Sequence, residues 1–160
     1  MQRITTNFWF NNEAEEAVQF YTSIFKDSKI GGISRYGKEG FEFHGKPEGT
    51  AMTVAFTLQG QTFVALNGGP QFKFNEAISL IVNCETQDEV DYYWAKLTEG
   101  GKEGACGWLK DKYGVSWQVV PTGLSQMLTD PDTAKAQRVS KAIFAMKKLD
   151  LNALEQAFKG

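Results

Sequence analysis

The chain carries the stretch FWFNNEAEEAVQFYTSIF at residues 8–25 and a related stretch, LIVNCETQDEVDYYWAKL, at residues 80–97. With a constant offset of 72 positions, four residues of the two stretches are identical. The identical pairs are Asn11 and Asn83, Glu13 and Glu85, Val18 and Val90, and Tyr21 and Tyr93. Because self-similarity of this kind is the mark of a repeated structural unit, the sequence predicts an internal duplication.

The first copy predicts a β-strand followed by an amphipathic helix. Residues 4–10 are rich in β-branched and aromatic side chains, and Asn11-Asn12 then interrupts the strand. Asn12 and Glu15 have a spacing close to that of a capping box, which indicates a helix N-terminus. The apolar residues that follow recur at helical spacing; they are Ala14, Ala17, Val18, Tyr21, Ile24 and Phe25.

Three further β-prone stretches complete the first half, at residues 29–36, 50–59 and 61–67. The last two are joined tightly at Gly60, as in a hairpin. Residues 37–49 are rich in Gly, Glu and Lys and predict an exposed loop. The first half therefore reads as βαβββ.

The second half repeats this order with shorter loops. Thr86 and Glu89 form a capping box, and an apolar stripe follows on the helix; its members are Val90, Tyr93, Trp94 and Leu97. The last strands of the two halves align at an offset of 54; the aligned residues are Gly60, Thr62, Phe63 and Gly69 with Gly114, Ser116, Trp117 and Gly123.

The predicted fold class is α+β, with tandem βαβββ modules and a helical C-terminal tail. We predict one domain over residues 1–160, with modules at 1–70 and 76–121 and the tail at 122–160. In the tail, Asp130 as N-cap and Pro131 at the first helical position predict a helix that runs to Leu149. A final short helix is predicted after Asp150.

Composition and charge exclude several classes of protein. The net charge is −2, and no basic face large enough for phosphate binding is evident, so nucleic acid is not a predicted partner. The apolar run that ends at Phe10 is too short for a signal peptide or a membrane span, which predicts a cytoplasmic protein with no membrane partner. Cys84 and Cys106 are predicted to be buried thiols rather than ligands or a disulfide.

Several segments carry a resemblance to a known family. They read FVALNGGP at residues 63–70, GWLKDKYGVSWQVVP at 107–121 and MKKLDLNAL at 146–154. Together with the two βαβββ modules, they resemble the PhnB-like branch of the glyoxalase/bleomycin-resistance, or vicinal oxygen chelate, superfamily. The resemblance covers essentially the whole chain and implies modules that curl into an incomplete barrel around a cavity, usually within a homodimer.

The resemblance also implies where metal ligands would lie. Metal-dependent members carry His, Glu or Gln on the first and last strands of each module, and these positions correspond here to Asn7 (or Thr6), Val64, Ser79 and Gln118. Only Gln118 offers a plausible oxygen ligand, and a divalent site needs about three. The lone histidine lies in the predicted loop. We therefore predict no metal and no other cofactor.

Strand alternation defines a candidate pocket. If Gln118 points into the barrel, Ser116 shares its face, while Trp117 faces the covering helix. By the same logic, the repeat points four more residues inward: Asn7, Trp9, Ser79 and Ile81. The candidate ligand-binding residues are Asn7, Trp9, Ser79, Ser116 and Gln118. In the alternative interpretation these polar groups satisfy one another inside a filled barrel.

The predicted function is binding of a small organic ligand in the barrel cavity without an essential metal. One alternative is a small-molecule lyase, isomerase or transferase, and another is a metal-dependent glyoxalase or dioxygenase relative. Proteins of this branch often carry the label demethylubiquinone methyltransferase. A Rossmann-type methyltransferase would have a Gly-rich turn that opens a helix, and Gly68-Gly69-Pro70 is not followed by a helix-forming sequence. No catalytic residue is predicted.

Overall fold

The structure, a computed structural model, describes residues 2–160 and divides into two compact units. The first unit ends at Phe74, and the second runs from Asn75 to Gly160. In the first unit the elements are β1 (Thr6–Phe10), α1 (Ala14–Ile24), β2 (Lys29–Arg35), α2 (Phe41–His44), β3 (Ala51–Leu58) and β4 (Gln61–Asn67). The strand order is β1-β4-β3-β2, with β1 and β4 parallel and the other pairs antiparallel. The predicted βαβββ module is confirmed.

Aromatic packing holds the first sheet against α1. Alternation along β1 buries Phe8 and Phe10 on the helix side. The rings of Phe8, Phe56 and Phe63 stack with centroids 5.3–6.3 Å apart. The helix contributes its predicted apolar stripe, and the buried members are Ala14, Ala17, Val18, Tyr21 and Ile24.

Two local predictions in the first unit are wrong. The N-cap of α1 is Glu13, and Asn12 makes no capping bond; the Ala14 amide instead donates to the side chain of Asn67 at 2.9 Å. This cap comes from the end of β4, so no local pattern could reveal it. The predicted loop at 37–49 contains α2, because Gly40 and Gly45 supply the left-handed backbone at its two ends.

The second unit repeats the topology and adds the helical tail. Its elements are β5 (Leu80–Cys84), α3 (Gln87–Thr98), β6 (Lys102–Glu103), β7 (Trp108–Lys110), β8 (Ser116–Pro121), α4 (Leu124–Leu128), α5 (Thr133–Phe144) and α6 (Leu151–Lys159). The strand order β5-β8-β7-β6, with β5 and β8 parallel, matches that of the first unit. The fold is therefore α+β with two four-stranded sheets, and over residues 2–160 neither sheet closes into a barrel.

The helix ends of the second unit test the predicted caps. The Thr86 hydroxyl accepts the Glu89 amide at 3.2 Å, which confirms the predicted start of α3. The predicted start of α5 is wrong by two residues, because its N-cap is Asp132. Asp130 instead accepts the Asp132 amide at 2.8 Å, so it forms a turn that precedes the helix.

The tail packs its own small apolar core. Its buried residues are Leu124, Val139, Ile143, Leu149 and Leu154. Helix α5 ends at Phe144, five residues before the predicted end, and Asp150 caps α6 by accepting the Ala153 amide at 2.9 Å. Among residues 2–160, no helix combines the length and apolar character needed to cross a bilayer.

Asp111 fixes the turn between β7 and β8. Its side chain is 3% exposed, and one carboxylate oxygen accepts the amides of Tyr113 and Val115 at 2.9 and 3.0 Å. The other oxygen accepts the indole N–H of Trp117 at 2.8 Å. Gly114 supplies the positive φ, +87°, that the turn requires. The Lys-Asp-Lys-Tyr-Gly segment of the sequence is thus a turn built around one buried carboxylate.

We expect Asp111→Ala to lower the free energy of unfolding by about 3 kcal/mol or more, because it leaves several buried donors without an acceptor. Urea denaturation followed by circular dichroism measures the change. Asp88→Ala, at an exposed position in the first turn of α3, is the matched control, with an expected loss below about 1 kcal/mol. An Asp111→Ala protein with the stability of the wild type would contradict this role.

Candidate functional site

The second sheet has one face against α3 and one polar face. The side buried against the helix carries Leu109, Trp117 and Val119, as expected from the alternation of side chains along β7 and β8. Glu103 also lies on the helix side, where it accepts the indole N–H of Trp94 at 3.0 Å. The opposite side, called here the polar face, carries Lys102, Trp108, Lys110, Ser116 and Gln118.

Gln118 and Ser79 meet directly on the polar face. The Gln118 side-chain amide donates to the Ser79 hydroxyl at 2.9 Å. In register, Gln118 lies opposite Trp108 on β7 and Ile81 on β5. Ile81 is 55% exposed, so an apolar side chain lies beside this polar pair. Ser79 itself immediately precedes β5.

Ser116 is the buried polar group of this face. Its side chain is 2% exposed, and its hydroxyl has no hydrogen-bond partner among the described residues. It lines a cavity of about 170 Å³ together with Lys102, Trp108 and Lys110, and two acidic residues, Glu76 and Glu103, also line this cavity. An unpaired buried hydroxyl costs about 1–3 kcal/mol, so this position favours a bound polar group.

Charged side chains form the rim of the cavity. The Lys110 ammonium lies 2.6 Å from the carboxylate of Glu76, which precedes β5. The hydrogen bond from Lys110 lowers the pKa of the Glu76 carboxyl below its usual value, so this group is ionised at neutral pH. Lys102 lies directly opposite Lys110 in the β6–β7 pairing.

Asn7 and Trp9 lie in the first unit. Asn7 is exposed and pairs in register with Val64. Trp9 is partly buried, donates its indole N–H to the Gly69 carbonyl at 2.9 Å and packs edge-on against Phe72 at 5.0 Å. A side chain at position 68 would collide with this indole, since a Cβ there would lie 2.3 Å from it. The structure thus places Trp9 against the Gly68-Gly69 loop.

The candidate residues therefore fall into two groups. Ser79, Ser116 and Gln118 lie together in the second unit, whereas Asn7 and Trp9 share the first sheet. Sequence reasoning missed Lys102, because β6 is only two residues long. It also missed Lys110, although strand alternation places it on the face of Gln118 once Trp117 is assigned to the core.

The positions that the family resemblance implies for metal ligands do not fit a divalent ion here. Val64 has no donor atom, Asn7 and Ser79 are neutral, and the Gln118 amide is hydrogen-bonded to Ser79. Such a set cannot replace the charged and imidazole ligands that zinc or nickel sites use. Within residues 2–160, no group of three or more His, Cys, Asp or Glu side chains has metal-binding geometry.

The remaining reactive side chains lie elsewhere. Cys84 is fully buried on the helix side of β5, and burial, with Glu89 nearby, raises its thiol pKa to about 11. The thiol therefore stays protonated at neutral pH and is a poor nucleophile. His44 lies on α2, where its ring accepts the Lys46 amide at 2.9 Å and packs against Tyr36.

A larger cavity, of about 240 Å³, lies where β8 meets the tail helices. Its walls include Leu124, Met127, Leu151 and Leu154, with Glu85 and Glu155 also lining it. It contains no buried polar side chain without a partner, since Ser116 is the one such group among the described residues. The polar face is therefore the stronger candidate site.

Comparison with known proteins gives a family match. A family model described as 3-demethylubiquinone-9 3-methyltransferase matches residues 2–120. A solved structure from Bacillus cereus, named for 3-demethylubiquinone-9 3-methyltransferase and PhnB, is 41% identical, with a TM-score of 0.68. The match covers 76% of this chain and 100% of that protein. No curated protein matched the chain.

A more distant structure shares the architecture, and another match is weaker. A protein from Pseudomonas aeruginosa is 18% identical with a TM-score of 0.61, and the match covers 76% of this chain and 98% of that protein. A glyoxylase/bleomycin resistance protein/dioxygenase domain from Frankia is 14% identical with a TM-score of 0.45, over 76% of this chain and 92% of that domain. At 18% identity, the likeness to the Pseudomonas protein concerns the fold alone.

Adjacent residues of β8 provide a test of the two faces. Trp117→Ala is expected to lower the free energy of unfolding by about 3–5 kcal/mol, because it empties a core position and removes the bond to Asp111. Gln118→Ala is expected to cost less than about 1.5 kcal/mol, the usual range for one partly exposed hydrogen bond. Chemical denaturation of both variants compares the two. Equal losses would contradict the assignment of faces.

Proposed function

The chain belongs to the 3-demethylubiquinone-9 3-methyltransferase family, the PhnB-like branch of the glyoxalase/bleomycin-resistance superfamily, and from this premise we propose that it binds a small organic molecule on the polar face of the second sheet. The observation that carries the proposal is the buried, unpaired hydroxyl of Ser116 beside a cavity. Ligand pockets typically combine apolar walls with a few convergent polar groups. Trp108 supplies such a wall, and Ser79, Ser116 and Gln118 supply the polar groups.

Asn7 and Trp9 are proposed as candidate ligand-binding residues of the first unit, taken by itself. Asn7 offers an exposed amide, and the Gly69 carbonyl holds the Trp9 indole in one orientation. No metal has a part in the proposed site, because the donor set at the superfamily positions does not fit one. The proposal treats residues 1–160 as one functional domain.

The name of the family describes methyl transfer, but residues 2–160 contain no Rossmann-type site for it. Such a site needs a Gly-rich turn between a strand and a helix. The turns that lead from the first strand of each module into the helix before the next strand are Asn11–Glu13 and Glu85–Thr86, and neither contains glycine. The segment after Gly68-Gly69-Pro70 continues without a helix. Methyl transfer of this kind is therefore not proposed, and a lyase or isomerase reaction at Gln118 stays the enzymatic alternative.

Thermal-shift titration with a library of small organic acids, amides and alcohols tests ligand binding. A ligand present at one hundred times its dissociation constant is expected to add about 2.7 kcal/mol to stability. Gln118→Ala should weaken this response, whereas Gln61→Ala, at an exposed position at the start of β4, should not. If no compound stabilises the fold at millimolar concentration, the proposal fails.

We also propose that the protein is a homodimer, as its family resemblance implies, and that it is cytoplasmic. The tail offers exposed apolar side chains that a partner could cover, such as Phe144, which is 76% exposed. Light scattering at micromolar concentration should give about 36 kDa, twice the chain mass of 17.8 kDa. A mass of one chain would refute the dimer.

A further inference from the structure

We propose that the polar face takes a small organic carboxylate, whose carboxylate group lies against Lys102 and Lys110 in the place of Glu76 and whose second polar group pairs with Ser116. This inference rests on the proposed function and names its ligand class. It follows from four features of the second unit: a pair of opposed lysines, a carboxylate that one of them already binds, an unpaired hydroxyl and the size of the cavity.

Lys102 and Lys110 face each other across the β6–β7 pairing. Directly opposed residues of an antiparallel pair have Cβ atoms about 4.5–5.5 Å apart, and like charges there are destabilising. The flanking glycines hold the strands close: a Cβ at Gly101 would lie 2.2 Å from the Lys110 carbonyl, and one at Gly104 would lie 2.8 Å from that of Trp108. The backbone thus holds two ammonium groups on one face.

The two lysines share one nearby carboxylate, that of Glu76. Glu76 binds Lys110, and among the described residues Lys102 has no ion pair. The Glu76 side chain is 60% exposed, and a surface ion pair of this kind contributes little to stability. An incoming carboxylate can therefore take its place at Lys110 and reach Lys102 as well, which relieves the repulsion between the lysines.

Ser116 provides the hydrogen-bonding partner for the second polar group of the proposed ligand. It lies opposite Lys110 in the β7–β8 pairing, so its hydroxyl is on the same face and deeper in the cavity. A ligand with a hydroxyl or carbonyl near its carboxylate can bind both residues. The cavity of about 170 Å³ has room for a compact molecule, and Trp108 offers an aromatic surface for a flat one.

Isothermal titration calorimetry on the whole chain tests the ligand class with three matched probes. Salicylate has both groups, benzoate lacks the hydroxyl, and salicylamide lacks the negative charge. Salicylate is expected to bind more tightly than benzoate, and salicylamide is expected to give no measurable binding. Salicylamide binding as tight as that of salicylate would overturn the proposal.

Single substitutions then show which side chains contact the bound salicylate. Glu76→Gln should tighten salicylate binding by up to about fivefold, because the competing carboxylate is gone. Lys110→Met should weaken it by roughly tenfold or more, whereas Lys96→Met, at an exposed position on α3, should leave it unchanged. Ser116→Ala should abolish the preference for salicylate over benzoate. A gain of affinity in Glu76→Gln cannot arise from misfolding, so unchanged affinity in that variant counts against the proposal.

The outcomes separate this inference from the proposed function. If neutral library compounds bind in a manner that depends on Gln118 while salicylate and benzoate do not bind, the carboxylate assignment is overturned and the proposed function stands. If no compound of any class binds, both fail. If salicylate binds and Lys110→Met binds it equally well, the anion does not lie at the lysine pair.

Discussion

The geometry of the second sheet depends on the buried carboxylate of Asp111. A carboxylate in the interior is stable only where several donors surround it, and here backbone amides of the turn and the Trp117 indole do so. These bonds fix where β7 ends and β8 begins. They therefore set the register that brings Lys110 opposite Ser116 and turns Trp117 toward α3. One interaction thus links the core of the unit to the polar face.

The first unit uses a different polar contact for a similar purpose. The side chain of Asn67, at the end of β4, accepts the Ala14 amide and donates to the Ala51 carbonyl at 3.0 Å. It joins the start of α1 to the middle of the sheet. In the second unit, the Thr86 hydroxyl caps the start of α3 instead. The duplication therefore preserved strand order and hydrophobic pattern, while each copy acquired its own buried hydrogen bonds. The strand order can stay the same while these hydrogen bonds differ, because each buried polar group needs a hydrogen-bond partner but not a particular one.

The sequence predicts those features that depend on local periodicity. The repeat at 8–25 and 80–97 reveals the duplicated βαβββ order, and strand alternation assigns Trp117 to the core side of β8. The sequence does not predict what depends on distant pairing. Strand β6 is two residues long and forms only because Gly101 and Gly104 let it approach β7, so its lysine could not be placed beside the candidate pocket. The start of α5 was predicted two residues too early for a related reason. Asp130 and Asp132 can both cap a helix, and only the turn that forms before the helix decides between them.

The two sheets show how one duplicated topology provides two different surfaces. In the first sheet, three polar groups of the side away from α1 are paired within the unit: the Ser34 and Thr53 hydroxyls bond each other at 2.5 Å, and the Trp9 indole N–H donates to the Gly69 carbonyl. In the second sheet, a serine hydroxyl stays unpaired in the interior next to two opposed lysines. Unsatisfied groups destabilise a fold, so their retention on one face requires a compensating interaction. Under the proposed function, a bound ligand would supply such an interaction on the sheet whose register Asp111 fixes.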